Sequence, residues 1–257
     1  DRIMEIQYVV EDIMRDKQYD PYHQALSNIL DQCSDELAAL LTEENGEESI
    51  IERVRARIDE IYGSKDFVSI HILLNEFVKQ RLAHLGPSFS HRQVNIISRL
   101  EPVPAIYIPV HVLQKIVDGL IRNAVENTPD EGKVVVSVQT KGQSVVLVVH
   151  DYGVGITEEH KRRIFEGFFT TQDTMAYSSK KPFDFNAGGK GADLLRMKIF
   201  SERYNFKIDM DSSRCGHIPQ ASDICPGQIS ECTYCTQPED CYPSGGTTFS
   251  LYFQPAP

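Results

Sequence analysis

Long apolar runs are missing from this chain. The stretches VVVSV at 134–138 and VVLVV at 145–149 are strand-sized, far below the ~20 residues that a membrane-spanning helix needs. Positive charge is in deficit: 26 Lys and Arg face 37 Asp and Glu, a formal net charge of −11. That balance argues against nucleic acid or an anionic membrane surface as partner, because binding phosphate relies on clustered cations. The start is charged and amphipathic rather than basic then apolar, so it does not read as a secretory signal. A chain opening on Asp1 is expected to be a piece of something longer. Cysteine is scarce over most of the length: Cys33 stands alone, and the other five crowd near the C-terminus. What is present is ordinary for a globular protein, with 257 residues, 41% hydrophobic and 25% charged. This suffices for one large domain or two modest ones.

The first third has helical periodicity. Ile3, Ile6, Val10 and Ile13 recur at spacings of three and four, and the pattern resumes after Pro21 at Leu26, Leu30, Cys33, Leu37 and Leu40 in another phase. A proline-induced bend near 17–21 accounts for the jump. EENGEE (43–48) is a polar turn, after which Ile51, Val54, Ile58 and Ile61 form a second stripe. Residues 1–65 therefore read as a helical hairpin. Such a hairpin completes its core as a homodimeric four-helix bundle or packs as a lid on the rest.

From about residue 66 the texture becomes α+β. The pattern predicts a helix over 70–83, strands at 94–100 and 105–108, and a long helix over 109–127. Strands at 134–139 and 144–150 follow, then a helix over 191–204 and strands at 206–210 and 247–253. Helices on one face of a sheet make a two-layer sandwich.

Within this region Asn123 lies on the polar edge of an apolar helix with Gly119 and Glu126, and its amide oxygen suits Mg²⁺ shared with nucleotide phosphates. DYGVGI (151–156) follows a buried strand. A carboxylate at a strand end suits an exocyclic amino donor, and alternate glycines let backbone pass close to a planar ligand; a plain turn is the alternative. RIFEGFFTT (163–171) is an aromatic clump ahead of a polar segment with the composition of a mobile lid. GGKGADLL places glycines at a helix N-terminus, which favours phosphate. GGTTF (245–249) presents a hydroxyl at Thr247.

Together these boxes resemble the catalytic ATP-binding domain of histidine kinases, in the gyrase, Hsp90, histidine kinase, MutL superfamily, over about residues 66–257. The resemblance implies the Bergerat ATP-binding fold with ATP and Mg²⁺ as cofactors. It implies Asn123 as Mg²⁺ ligand, Asp151 as adenine anchor, and Gly153 and Gly155 as the first glycine box, flanked by Ile156. Phe165, Phe168 and Phe169 match the aromatic box. Gly189, Lys190, Gly191 and Ala192 match the second glycine box, and Thr247 helps hold adenine. Glu126 and Asn127, beside Asn123, complete the expected cofactor-binding set. It further implies a sensor histidine kinase of two-component systems, cytoplasmic in this portion even if the full protein is membrane-tethered. An upstream sensor domain, a homodimer and a response regulator receiver domain would be its partners.

This chain departs from the family pattern at three places. Gly119 stands where the family has a second Asn or, in its ATPase branches, a catalytic Glu; without that carboxylate, gyrase-like hydrolysis is not expected. Asp193 stands where the second glycine box usually has Gly, and would repel phosphate unless Lys190 offsets it. In the hairpin, DKQYDPY (16–22) aligns with the phosphoacceptor motif, which puts Asp16 in the histidine's place. His23, seven residues on, is the nearby histidine that would accept a phosphoryl group. A catalytically degenerate pseudokinase acting as an ATP-responsive dimerisation module is the alternative. The segment at about 212–245 is an insertion carrying Cys215, Cys225, Cys232, Cys235 and Cys241. The Cys232–Cys235 CxxC knuckle suits Zn²⁺ or an iron–sulfur cluster; disulfides or free thiols are the other readings.

Overall fold

The computed structural model describes residues 68–161, 164–165, 182–187, 192–220 and 222–257. The chain divides into two units between Phe67 and Val68, and all described residues belong to the second. The hairpin expected at 1–65, with Asp16, His23 and Cys33, lies outside the described residues. So do Phe168, Phe169, Gly189, Lys190 and Gly191.

The unit opens with a short strand, β1 (Ile70–Ile72), then helix α1 (Leu74–Leu85) and a 3-10 turn over Gly86–Phe89. β2 (Asn95–Leu100) and β3 (Ile106–Ile108) precede the long helix α2 (Val110–Asn127). Next come β4 (Lys133–Lys141), β5 (Ser144–Asp151) and the single turn α3 (Glu158–Lys161). Helix α4 (Ala192–Tyr204), β6 (Lys207–Ser213), the turn α5 (Pro238–Cys241) and β7 (Gly246–Phe253) complete it. One expectation is corrected: residues 70–72 are not helical. Ile70 and Ile72 pair antiparallel with Ile108 and Ile106, because β-branched side chains on both segments favour extended pairing over the first helical turn.

Five strands form one sheet in the order β2-β4-β5-β7-β6. β2 runs parallel to β4, and every other neighbour pair is antiparallel. The period-2 pattern explains β4: Val134, Val136 and Val138 are fully buried and alternate with half-exposed neighbours. A one-residue slip would reverse every side chain, so this alternation pins the register. On α2 the buried residues Leu113, Ile116, Val117, Leu120, Ile121 and Ala124 recur at helical spacing. They meet the sheet's valines together with Val78 of α1, Met197 and Phe200 of α4, and Leu147 and Leu251. Burying each such side chain stabilises by ~1.5–3 kcal/mol. The two-layer α+β sandwich that results places the ends of β5 and β7 beside the C-terminal turns of α2.

Candidate functional site

β5 ends on Asp151, which is 5% exposed. It lies opposite Thr247 in the β5–β7 register. Its Oδ1 accepts the backbone N–H of Gly153 at 3.1 Å and of Thr247 at 3.2 Å. Burial pushes its carboxyl up to about 7, against the pull of these N–H donors. A buried carboxylate with this environment at the end of a central strand is a binding-site signature. Thr247 Oγ1 lies 2.9 Å from Ser212 Oγ, which also donates to the Gly246 carbonyl and accepts the Ile156 N–H, both at 3.0 Å. Ser212, 3% exposed, thus ties β6, β7 and the 152–156 loop together. The boxes did not include it, and a serine on an edge strand carries no signal in the sequence.

The loop's glycines are explained by their neighbours. A Cβ on Gly153 would sit 2.1 Å from the Asn127 carbonyl, and one on Gly155 would sit 1.8 Å from the Ser213 carbonyl. Gly155 also has φ +63°. Val154 N–H donates to the same Asn127 carbonyl at 3.1 Å, and its own carbonyl accepts Cys215 N–H at 2.9 Å. The loop is wedged between the end of α2 and the end of β6, so the close approach is made by protein backbone.

The residues expected around Asn123 divide. Asn123 itself lines a small cavity between α2 and α4 with Lys115, Gly119, Asp193 and Arg196. Asn127 turns back on the helix, its Nδ2 donating to the Asn123 carbonyl at 2.8 Å. Glu126 is 4% exposed; its Oε1 accepts the Phe183 N–H at 3.0 Å and its carbonyl accepts Asn186 N–H at 2.8 Å. Burial raises its carboxyl above the ordinary range. These bonds make Glu126 the anchor of segment 182–187. Arg92 does the matching work from β2's side. Its guanidinium pairs with Asp130 at 2.8 Å and donates to the Val125, Thr128 and Phe183 carbonyls, closing the carbonyl end of α2 where a cation is favoured. Phe165 packs edge-on to Phe249 with ring centroids 6.4 Å apart. Ala192 opens α4.

Asp193 does not stand alone against phosphate. It is paired with Arg122 from α2 and with Arg196 one turn on, the latter at 3.2 Å. Among the described residues the offset comes from these two guanidiniums.

The Cys-rich insertion is docked on the site. Asp130 N–H donates to the Gly227 carbonyl at 2.8 Å and Ile229 N–H to the Asp130 carbonyl at 3.1 Å, while Ile229 is 2% exposed. Lys133 Nζ sits 4.2 Å above the Tyr152 ring and 3.9 Å above Tyr242 of the insertion. Cys215, Cys225, Cys232, Cys235 and Cys241 are all free thiols, and Cys235 N–H donates to the Cys232 carbonyl at 3.4 Å across the CxxC turn. Burial first, then neighbouring thiols, pushes Cys225 up to about 11 and raises Cys235 and Cys241. Among the described residues no group of three or more His, Cys, Asp or Glu is disposed to hold a metal ion. The expected Zn²⁺ or iron–sulfur site therefore has no support among the described residues.

Comparison with known proteins decides the family. The profile of the histidine kinase-, DNA gyrase B- and HSP90-like ATPases matches residues 110–257. The chain belongs to that family. It is 32% identical over 134 residues to the adaptive-response sensory kinase SasA of Rippkaea orientalis, covering 51% of this chain and 32% of that protein. It is 27% identical over 119 residues to the phosphate regulon sensor protein PhoR of Pseudomonas aeruginosa, covering 46% and 25%. Full-length ShkA in complex with AMPPNP has the same fold, with TM-score 0.55 and 17% identity over 91% of this chain and 39% of that one. The five-stranded sheet with its flanking helices is the Bergerat ATP-binding fold of histidine kinases. The chain spans about a third or less of the length of the curated relatives it matches. No described helix is long and apolar enough to cross a membrane.

Proposed function

We propose that this unit binds Mg·ATP between α2, the 151–156 loop and β7, as the kinase core of a two-component sensor histidine kinase. The observation that carries the reading is the buried Asp151 carboxyl opposite Thr247, an acceptor for the exocyclic amino group of adenine with a hydroxyl beside it. Asn123 would offer its amide oxygen to Mg²⁺, from a small cavity that Lys115 and Arg196 also line. When bound, Mg²⁺ neutralises phosphate charge. Asn123 would hold it, and Arg196, which lines the same cavity, and Arg122, paired with Asp193, would add positive charge there.

In the reaction, an acceptor nitrogen of a histidine forms a bond to the γ-phosphorus as the bond to the bridging oxygen breaks, and ADP leaves. The phosphoryl group then passes to an Asp of a response regulator receiver domain. The domain plan that accompanies this reading is a homodimerising hairpin over 1–65, an ATP-binding domain over 66–257, and an upstream sensor domain, with the kinase core on the cytoplasmic side. Asp16 at the acceptor position supports a second reading, an ATP-responsive pseudokinase.

Incubation with γ-labelled Mg·ATP separates the two. Acid-labile, base-stable label that His23→Ala abolishes establishes transfer. Nucleotide binding without label establishes the pseudokinase.

A further inference from the structure

The Cys-rich insertion brings thiols together that the nucleotide reading does not use. Thr236 donates to Asp240 Oδ2 from its N–H at 2.9 Å and from its hydroxyl at 2.7 Å. This closes a short loop with Cys235 and Cys241 at its two ends, where the Cys235 thiol donates to the Cys241 sulfur. Cys235 is 7% exposed and Cys241 is half-buried. Both are free thiols, and among the described residues no group is disposed to hold a metal ion. The same corner is tied to the 151–156 loop. Tyr242 follows Cys241, and Lys133 Nζ lies 3.9 Å above its ring and 4.2 Å above the ring of Tyr152. Tyr152 N–H donates to the Lys133 carbonyl at 3.2 Å. One cation thus joins the insertion to the loop.

We propose that Cys235 and Cys241 form a reversible disulfide in the presence of a hydroperoxide, and that its closure loosens the 151–156 loop through Tyr242 and Lys133. This holds whatever the loop binds. The Cys241 sulfur, the more exposed of the two, loses its proton and attacks the terminal oxygen of the hydroperoxide. The O–O bond breaks, and the alkoxide leaves and takes up that proton as an alcohol. Cys235 then attacks the sulfenic acid on Cys241: the S–S bond forms, the S–O bond breaks, and hydroxide leaves with the Cys235 proton as water. The two thiols lose two electrons and the hydroperoxide gains them. Burial pushes the Cys235 thiol up to about 12 and raises that of Cys241, against the pull of hydrogen bonds with Ser244 and Cys235. Such thiols attack slowly, and they are poor leaving groups, so the disulfide is also slow to be reduced. The pair therefore registers sustained exposure to oxidant. An S–S bond of ~2.05 Å is far shorter than the thiol contact it replaces, so closing it draws Cys241, and Tyr242 with it, away from Lys133.

The test treats the reduced full chain with tert-butyl hydroperoxide. Intact mass is expected to fall by two hydrogens, with peptide mapping placing the bond between Cys235 and Cys241, and dithiothreitol is expected to restore the starting mass. Amide hydrogen exchange over residues 152–156 is expected to rise about two- to fivefold on closure, the scale of one exposed cation–π contact. Tyr242→Ala should raise exchange in the reduced protein by the same factor. Its disulfide should still form, with no further rise. Cys241→Ser should block both the bond and the rise, whereas Cys225→Ser should leave both in place. Melting temperatures of the same variants report folding independently.

No disulfide, or one that joins another pair, overturns the proposal. So does a Cys235–Cys241 bond that leaves exchange over 152–156 unchanged or slows it. Equimolar zinc or iron in the reduced protein overturns it as well, because metal-held thiolates are not a free pair.

Discussion

The Asp151 carboxylate accepts the Thr247 backbone N–H at 3.2 Å across the β5–β7 pair, joining residues 96 apart in the chain. Two segments that mean little separately become one acceptor-and-hydroxyl pair. Burial holds the carboxyl up to about 7, and this gives the site a pH signature.

Nucleotide affinity is expected to rise with pH through about 7 and then level off. An amino donor favours the ionised carboxylate, so binding is strongest where Asp151 has lost its proton. Titrating AMPPNP from pH 6 to 8 checks this, and Asp151→Asn should weaken binding and flatten the profile. A matching effect is expected on stability. A carboxyl raised in the folded state contributes most below its unfolded pKa, and that contribution is lost as pH rises through the folded value. The melting temperature of Asp151→Asn relative to wild type should therefore be more favourable at pH 8 than at pH 4.

Gly153→Ala is expected to destabilise by about 2–3 kcal/mol, the scale of overpacking a tight contact, because its Cβ would meet the Asn127 carbonyl at 2.1 Å. Gly142→Ala is the comparison. It has φ +62° and open space around it, so it should cost only ~1–2 kcal/mol from backbone conformation alone. Calorimetric melting of both variants reads the difference.

Arg92→Ala is expected to cost about 3–5 kcal/mol, the scale of breaking a buried ion pair. It leaves Asp130 without its cation and takes one donor from each of three carbonyls. Urea unfolding measures the loss. Hydrogen exchange at residues 183–187 should rise in the same variant, since the Phe183 carbonyl is one of those three.

Ser212→Ala removes one buried hydroxyl that meets Thr247, Gly246 and Ile156. A loss of about 1–3 kcal/mol is expected, seen as a lower urea midpoint. Unchanged stability would mean that the three bonds are replaced by solvent.

The central hairpin was legible because its valines alternate with period 2, and α2 because its apolar stripe has period 3.6. DYGVG and GTTF marked Asp151 and Thr247 because strand ends with Gly, Asp and Thr are chemically unusual. The glycines were legible as close approaches, but the partner at each proved to be a carbonyl of this protein. Residues 70–72 were misread because a stretch as short as Ile70–Leu74 satisfies either period. Arg92, Ser212 and the pairing of Arg122 with Asp193 could not be read at all. Their roles depend on groups 33–91 residues away in the chain, and no local spacing records such encounters.

The position of β7 in the sheet has a consequence for synthesis. It lies between β5 and β6, yet it is made after both. Until residues 246–253 have left the ribosome, β5 and β6 each present an unpaired edge, and Asp151 lacks the strand that completes its surroundings. The unit must therefore wait for β7 before it can close, and an interrupted nascent chain would expose adhesive strand edges in place of the Asp151–Thr247 pair.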